Sequence, residues 1–260
     1  MEQCFANCCY RNAFLGFLKS SGCKTSLHAS MSSSASSIAG VNKIQPADEA
    51  LFLDAGGTLL ELTQPVARTY AEIGRKYGVT TTEIDIKERF KKSFSISIPD
   101  KLRYKGDGRP FWKRVVTEAT DCADDDYFEE VYKYYANADA WCLPEGAYEV
   151  LCHLKYAGVR LAVVSNFDNR LRKLLKDLNV LDLFDSVIIS SEVEYEKPDP
   201  RIFSIALDQL DVDPRKVVHV GDDENTDKMG AAAAGINFWL WGSDVQTFWD
   251  IQNRILISSC

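Results

Sequence analysis

The sequence predicts a doubly wound α/β fold, in which a parallel sheet is interrupted by an all-helical insertion. From residue 50 onward, short apolar runs alternate with amphipathic helical segments. This alternation is typical of a parallel sheet that is covered by helices on both faces. Residues 63–143 depart from it, because they show helical periodicity without a core strand. We therefore expect one core domain with an insertion.

The first predicted strand, residues 51–53, ends at Asp54. Pro65 then occupies a position that suits the first turn of a helix, because its fixed φ is compatible with helical geometry. Further helices of the insertion are expected to begin at Pro110 and at the acidic residues 124–126. Negative charge favours a helix N-terminus, so the acidic residues support the second of these helices.

The sheet pattern resumes after residue 143. Amphipathic helices separate four further predicted strands, at residues 159–164, 187–189, 217–220 and 238–241. Together with the first strand they complete a Rossmann-like core. We therefore divide the folded chain into an α/β core of residues 48–62 and 144–260 and a helical insertion of residues 63–143.

Residues 1–47 differ from the rest of the chain in composition. They contain one acidic residue, Glu2, scattered basic residues and a serine-dense stretch at 30–37. This composition is typical of an organelle transit peptide that has no fixed structure. The high serine and modest arginine content favours the chloroplast, with the mitochondrion as the alternative. A secretory signal, or a cytoplasmic protein whose extension is not a targeting signal, also stays open.

The overall composition limits the classes of partner. The formal net charge is −8, whereas nucleic acid and anionic lipid are bound by clustered Lys and Arg. No apolar run approaches the roughly 18 residues that a membrane span requires. The eight cysteines have no zinc-ligand spacing and favour a reducing compartment. We expect a small-molecule partner, no nucleic acid and no membrane, with monomer and homodimer both open.

Polar residues follow several predicted strands at the point where each strand ends. Asp54 follows the first strand, Ser165 and Asn166 the second, and Asp222 the fourth, while Lys197 lies in the segment after the third. Ligands of open parallel sheets bind outside the carboxyl ends of the strands. The sequence therefore predicts that carboxylates, a hydroxyl and an ammonium group converge at one edge.

The chemistry of these groups is complementary. Clustered carboxylates provide the oxygen ligands that Mg²⁺ prefers. A carboxylate that attacks phosphorus forms an aspartyl-phosphate, which divides one difficult displacement into two easier ones. Lys197 and Ser165 would neutralise charge on the transferring group. Glycines at positions 56, 57 and 221 allow close approach of the backbone.

Four segments, in this order, resemble the motifs of the haloacid dehalogenase superfamily. Their sequences are DAGGTL at 54–59, VVSN at 163–166, KPDP at 197–200 and HVGDDENTD at 219–227. The stretch from Leu161 to Leu171 and the KPDPRIF segment are similar to the branch of haloacid dehalogenase-like hydrolase domain-containing protein 3. The insertion between the first two motifs resembles the helical cap of subfamily I, which closes over the site and reads the substrate.

The resemblance implies a role for each matching residue. Asp54 would be the nucleophile and a metal ligand, and Lys197 the catalytic charge stabiliser. The Mg²⁺ cofactor would be held by Asp54, the backbone carbonyl of Gly56, Asp222 and Asp227. The phosphate of a small phosphorylated metabolite would be bound by Ser165, Asn166 and Gly57. His153 and His219 stand outside this set, and we expect both to be structural.

One position departs from the phosphatase pattern. Two residues after the nucleophile, phosphatases of this superfamily carry a second Asp as general acid and base, and this chain carries Gly56. Loss of general acid–base help typically lowers a rate by about 10²–10⁴-fold. The leading interpretation is thus a Mg²⁺-dependent phosphoester hydrolase that is slow or uses a substitute acid.

Two alternatives stay open. The first is a catalytically degenerate protein that binds a phosphate or metabolite or has a regulatory role. The second is a 2-haloacid dehalogenase, in which Asp54 would attack carbon without needing the second Asp. Retention of Asp222 and Asp227 argues against the second alternative, because dehalogenation has little use for a magnesium site.

Overall fold

The computed structural model describes residues 46–96 and 103–256. Nearly all of the predicted transit peptide therefore lies outside the described residues, and its assignment stays a prediction. None of the helices within the described ranges is long and apolar enough to cross a membrane.

The core is a five-stranded parallel sheet with the strand order β5-β4-β1-β6-β7. The seven described strands are β1 (Ala50–Leu53), β2 (Glu61–Leu62), β3 (Trp141–Cys142), β4 (Arg160–Ser165), β5 (Ser186–Ile189), β6 (Val217–Gly221) and β7 (Asn237–Leu240). The central strand β1 lies between β4 and β6 and is completely buried. This arrangement confirms the predicted fold class.

Helices connect the strands and cover the sheet. The described α-helices are α1 (Val66–Gly74), α2 (Glu83–Ser95), α3 (Arg109–Thr120), α4 (Asp125–Tyr135), α5 (Ala147–Tyr156), α6 (Leu171–Asp177), α7 (Ser190–Val193), α8 (Pro200–Leu210), α9 (Met229–Ala233) and α10 (Phe248–Leu256). Two of them, α3 and α8, have a proline in their first turn, where the missing N–H costs little.

Alternation of side chains along β1 produces two apolar cores, one on each face of the sheet. Leu51 and Leu53 belong to a large cluster that continues into the inserted helices. Ala50 and Phe52 point to the other face and belong to a smaller cluster with helix α8. Because successive strand residues point to opposite faces, an uninterrupted apolar strand is what a sheet with two covered faces requires.

The two chain segments that connect the inserted helices α1 to α4 to the core form a short antiparallel ribbon. Strand β2 pairs with β3, with Leu62 opposite Trp141. The predicted insertion boundaries, 62/63 and 143/144, are next to this ribbon. It brings the two ends of the insertion together beside the first loop of the core.

Three elements differ from the sequence prediction. Helix α2 was not singled out, because its few buried apolar residues, including Ile86 and Phe90, are spread among charged ones. Helix α10 near the C-terminus was also missed. The predicted helix between β6 and β7 begins as a π-helical segment, Glu224–Lys228, before α9. This segment carries Asp227 and decides where its carboxylate lies.

Candidate active site

Asp54 stands at the carboxyl end of β1, where its side chain is 2% exposed. Its backbone N–H donates to Val220 of β6, which continues the pairing of the two strands beyond β1. Its Oδ1 atom accepts hydrogen bonds from Ser165 Oγ at 3.0 Å and from Lys197 Nζ at 2.6 Å. The carboxylate is therefore held by groups that follow two other strands, as the sequence predicts.

Lys197 connects two of the predicted metal-binding carboxylates. Its buried Nζ lies 2.6 Å from Asp54 Oδ1 and 2.5 Å from Asp227 Oδ1. Burial acts to lower the pKa of Lys197, but Asp227 and Asp54 outweigh it and raise the pKa above its usual value. The side chain therefore remains an ammonium ion at neutral pH and supplies a fixed positive charge.

Asn166 fixes the backbone that carries this lysine. Its Oδ1 accepts the Lys197 N–H at 2.7 Å, and its Nδ2 donates to the Lys197 carbonyl at 2.9 Å. These two bonds join the loop after β4 to the segment that carries Lys197. Asn166 thus positions Lys197 and also lines the pocket; its predicted phosphate contact stays a prediction.

Three buried carboxylates, from Asp54, Asp222 and Asp227, come together beside Lys197. One ligand atom from each lies within 4.8 Å of the others, which is compatible with a shared metal ion. Burial, with the negative charges of Asp54 and Asp227, raises the pKa of Asp222 to about 6. A buried cluster of negative charge needs compensation, and a hard divalent cation with oxygen ligands supplies it. The residues therefore fit the Mg²⁺ that the sequence predicts.

His219 is a site residue that sequence reasoning missed. It lies on β6, is completely buried, and places Nε2 2.8 Å from Asp227 Oδ1. Its ring packs edge-on against Phe203, with ring centroids 4.9 Å apart. Burial acts to raise the pKa of Asp227, but Lys197 and His219 together hold it well below its usual range. A structural histidine is compatible with this geometry, but the sequence does not predict the contact with a predicted metal ligand.

Glycines shape the backbone of the site. Gly57 has φ +95°, a left-handed conformation that side chains rarely adopt. A Cβ on Gly221 would lie 2.2 Å from Asp227 Cγ, so a larger residue would displace that carboxylate. Gly56 forms a β-bridge with Leu60 and does not have a positive φ. The backbone conformation therefore disfavours a side chain at 57 but not at 56.

Two cavities meet the site from the side of the insertion. The catalytic pocket, with a volume of about 150 Å³, includes Asp54, Asn166 and Lys197 and is also lined by Phe94 and Arg103 of the insertion. The second cavity borders Gly56 and is almost entirely apolar. It is lined by Leu62, Val66, Tyr70, Phe90, Trp112, Val116, Phe128, Val131, Tyr132, Tyr135, Trp141, Phe167 and Arg170. Several aromatic side chains of the insertion thus face a cavity.

The loop after β4 also contacts the insertion. Asp168 is completely buried and accepts hydrogen bonds from Trp112 Nε1 at 2.9 Å and from Arg170 Nη2 at 2.6 Å. The Arg170 guanidinium lies 4.0 Å from the centre of the Tyr132 ring. The end of β4 and the loop after it therefore carry both sets of residues. Ser165 and Asn166 lie in the site, and the Asp168–Arg170 pair contacts the inserted helices.

Comparison with known proteins identifies the family. Residues 49–235 match the haloacid dehalogenase-like hydrolases. The chain belongs to this family. Haloacid dehalogenase-like hydrolase domain-containing protein 3 of Mus musculus is 33% identical over 201 residues, which cover 73% of this chain and 80% of the mouse protein. The resemblance inferred from the four motifs is confirmed, including the branch.

Solved structures of the haloacid dehalogenase-like family share the fold. A phosphatase from Thermococcus onnurineus superposes with a TM-score of 0.57 at 23% identity, covering 79% of this chain and 96% of that one. The L-2-haloacid dehalogenase of Xanthobacter autotrophicus, with chloropropionic acid covalently bound, gives 0.59 at 20% identity, covering 76% and 79%. At such identities the likeness concerns the fold alone.

Proposed function

We propose that this protein is a Mg²⁺-dependent hydrolase of small phosphate monoesters that acts through an aspartyl-phosphate on Asp54. The observation that carries the proposal is the convergence of Asp54 with Ser165, Lys197 and two further buried carboxylates. Membership of the hydrolase family supports the general class of reaction. The phosphate ester and the metal are our inference from the chemistry of the side chains.

In the first step, an Asp54 carboxylate oxygen attacks phosphorus as the bond to the ester oxygen breaks. Ser165 and Lys197 both donate to Oδ1, so the carboxylate plane is fixed and we assign the attack to Oδ2. Pre-orientation of this kind lowers the entropic cost of reaching the transition state. Water then attacks the aspartyl-phosphate, releasing phosphate and restoring Asp54.

Lys197 has two roles in this scheme. Its ammonium group orients the nucleophile through the hydrogen bond to Oδ1, and it reduces the charge that develops on the transferring phosphoryl group. Asp54, Asp222 and Asp227 would hold Mg²⁺, which when bound neutralises charge on the phosphate oxygens. His219 and Lys197 keep Asp227 ionised and so maintain it as a ligand.

Gly56 decides which esters react well. No side chain at this position protonates the leaving oxygen or activates water, and such help is typically worth about 10²–10⁴-fold in rate. Esters whose leaving group needs no protonation should therefore react fastest. We expect kcat to be higher for p-nitrophenyl phosphate and acetyl phosphate than for alkyl phosphates. The ratio should be larger than in a phosphatase that has the second Asp.

Phosphate release from p-nitrophenyl phosphate tests the proposal. The wild-type protein should require Mg²⁺, and Asp54→Asn should abolish the release while the melting temperature changes little. Activity that is unchanged in Asp54→Asn would contradict the assignment of the nucleophile. Asp185→Asn is a suitable control, because Asp185 pairs with Lys155 at the opposite end of β4.

A second candidate function is favoured by Gly56. A protein that retains the phosphate site but lacks the acid–base group could serve as a phosphate or metabolite sensor. No turnover across a range of phosphate esters, combined with a higher melting temperature when Mg²⁺ and phosphate are added together, would favour this function. Dehalogenation remains testable as halide release from 2-chloropropionic acid without metal, although the three clustered carboxylates give that reaction no advantage.

A further inference from the structure

Two cations line the catalytic pocket among the residues that the structure describes there: Lys197 of the core and Arg103 of the insertion. Lys197 is already paired with Asp54 and Asp227. Arg103 contributes its charge from the segment between α2 and α3, so it lies on the wall that faces the core. Asp54, Asp223 and Asp227 line the same pocket, so Lys197 and a bound metal ion would offset the carboxylates of the core, and Arg103 supplies positive charge from the side of the insertion.

Aromatic rings position the Arg103 guanidinium. Its central carbon lies 4.9 Å from the centre of the Phe94 ring and 5.7 Å from that of Phe111. Stacking on aromatic faces orients a guanidinium, and the Arg103 side chain also interacts with Tyr104 and Glu196. Phe94 itself lines the same pocket. The side chain is therefore placed by packing at the wall of the pocket.

The backbone of Arg103 is tied to the catalytic segment. Its N–H donates to Glu196 Oε1 at 2.6 Å, and Glu196 directly precedes Lys197. One hydrogen bond thus connects the backbone of Arg103 to the residue before Lys197, although the two cations belong to different parts of the fold. This contact holds the backbone of Arg103 beside the segment that carries Lys197.

We propose that Arg103 binds a second anionic group on the leaving side of the substrate, and that this group is a carboxylate. The inference rests on the proposed phosphate-ester hydrolysis. A guanidinium matches the planar, two-oxygen geometry of a carboxylate. The phosphoryl group already has Lys197, Ser165 and the metal-binding carboxylates on the core side. The substrate class is therefore a short phosphorylated carboxylic acid.

The size of the pocket supports a short substrate. Its volume of about 150 Å³ is similar to that of an engineered protein cavity that accepts benzene, at about 150 Å³. A phosphoryl group occupies much of such a space, which leaves room for a leaving group of only a few heavy atoms. A carboxylate within that short distance of phosphorus reaches the wall where Arg103 lies.

A matched pair of esters tests the proposal. Phosphoglycolate and ethyl phosphate have leaving groups of the same length, and only the first carries a carboxylate. We would measure kcat/KM for both in the wild type, in Arg103→Gln and in Arg109→Gln. Arg109 is a control, because it is also an arginine of the insertion that stacks on an aromatic ring, that of Tyr132. It does not line the catalytic pocket.

Arg103→Gln should lower kcat/KM for phosphoglycolate by about 10- to 100-fold, as expected for a lost hydrogen bond to a charged group. Ethyl phosphate should change less than about twofold, and Arg109→Gln should affect neither ester. Equal losses for both esters, or no loss for phosphoglycolate, would overturn the role of Arg103 while leaving ester hydrolysis intact.

A binding measurement separates this proposal from the proposed function. If the wild type hydrolyses neither ester, hydrolysis fails as a function, and calorimetric affinities in the Asp54→Asn background with Mg²⁺ decide the question for Arg103. Tighter binding of phosphoglycolate than of ethyl phosphate, lost on adding Arg103→Gln, supports the carboxylate site. Equal affinities, or a preference that survives Arg103→Gln, contradict it.

Discussion

The Lys197 ammonium donates a 2.6 Å hydrogen bond to Oδ1 of Asp54, and both side chains are 2% exposed. Asp227 accepts from the same ammonium at 2.5 Å. The lysine therefore contacts the proposed nucleophile and a predicted metal ligand at the same time. Removing it should affect both the chemistry and the fold.

Lys197→Met tests the effect on the stability of the fold and its link to metal binding. Loss of the cation from among buried carboxylates should lower the free energy of unfolding by about 3–5 kcal/mol in the absence of metal. Saturating Mg²⁺ should recover part of this loss, because it supplies positive charge to the same groups. Thermal unfolding with EDTA and with Mg²⁺ checks the prediction, and Lys216→Met, which removes an exposed ion pair with Glu49, is the control. Equal destabilisation in both buffers would show that the metal binds elsewhere.

Gly56→Asp should raise phosphatase activity. The backbone at position 56 does not have a positive φ, and the position borders an apolar cavity. Burial raises the pKa of a carboxyl group, which suits a general acid. We expect kcat for alkyl phosphates to increase by up to about 10²–10⁴-fold, and less for p-nitrophenyl phosphate. No increase with either ester would favour the binding function.

His219→Phe should weaken metal binding. The variant removes the 2.8 Å contact to Asp227 while filling the space beside Phe203. Loss of a group that orients a ligand typically lowers metal affinity by about 10- to 100-fold. Calorimetric titration with Mg²⁺ measures the change without requiring turnover. His153→Gln, which alters a histidine that contacts Gln252, should leave the affinity unchanged; a similar loss there would rule out a specific role for His219.

Asp168→Asn should destabilise the junction between core and insertion. Among the described Asp-x-Arg pairs, Asp168–Arg170 and Asp213–Arg215 have the same local hydrogen bonds. They differ in burial, because Asp168–Arg170 is nearly buried, whereas Arg215 is 84% exposed. Breaking the buried pair should cost about 3–5 kcal/mol, and Asp213→Asn should cost much less, because solvent screens the exposed pair. Urea unfolding provides both values. Equal losses of unfolding free energy in the two variants would mean that Asp168 does not stabilise the junction between core and insertion.

The sequence predicts the part of the site that sheet geometry determines. Asp54, Ser165 and Asp222 follow strands, and neighbouring parallel strands bring their carboxyl ends to one edge. His219 was missed because its partner, Asp227, lies eight residues later on a π-helical segment that returns the carboxylate to β6. No local sequence pattern predicts that the π-helical segment brings the Asp227 carboxylate back to β6.

Arg103 was missed for a different physical reason. Its place depends on how the inserted helices sit on the core, through contacts such as Arg103 with Glu196 and Trp112 with Asp168. Helical periodicity shows that a face is buried and does not show what covers it. The sequence therefore predicts the catalytic edge of the sheet better than the wall that selects the substrate.

The most direct test of the account is to trap the phosphoenzyme. Without an acid–base side chain at position 56, hydrolysis of the aspartyl-phosphate should be slow, so this intermediate should accumulate. Acid quenching during turnover of acetyl phosphate with Mg²⁺, followed by mass spectrometry of the peptide that contains Asp54, should reveal one added phosphoryl group that is absent in Asp54→Asn. Mg²⁺-dependent phosphate release with no phosphoryl group on Asp54, and undiminished in Asp54→Asn, would contradict the account.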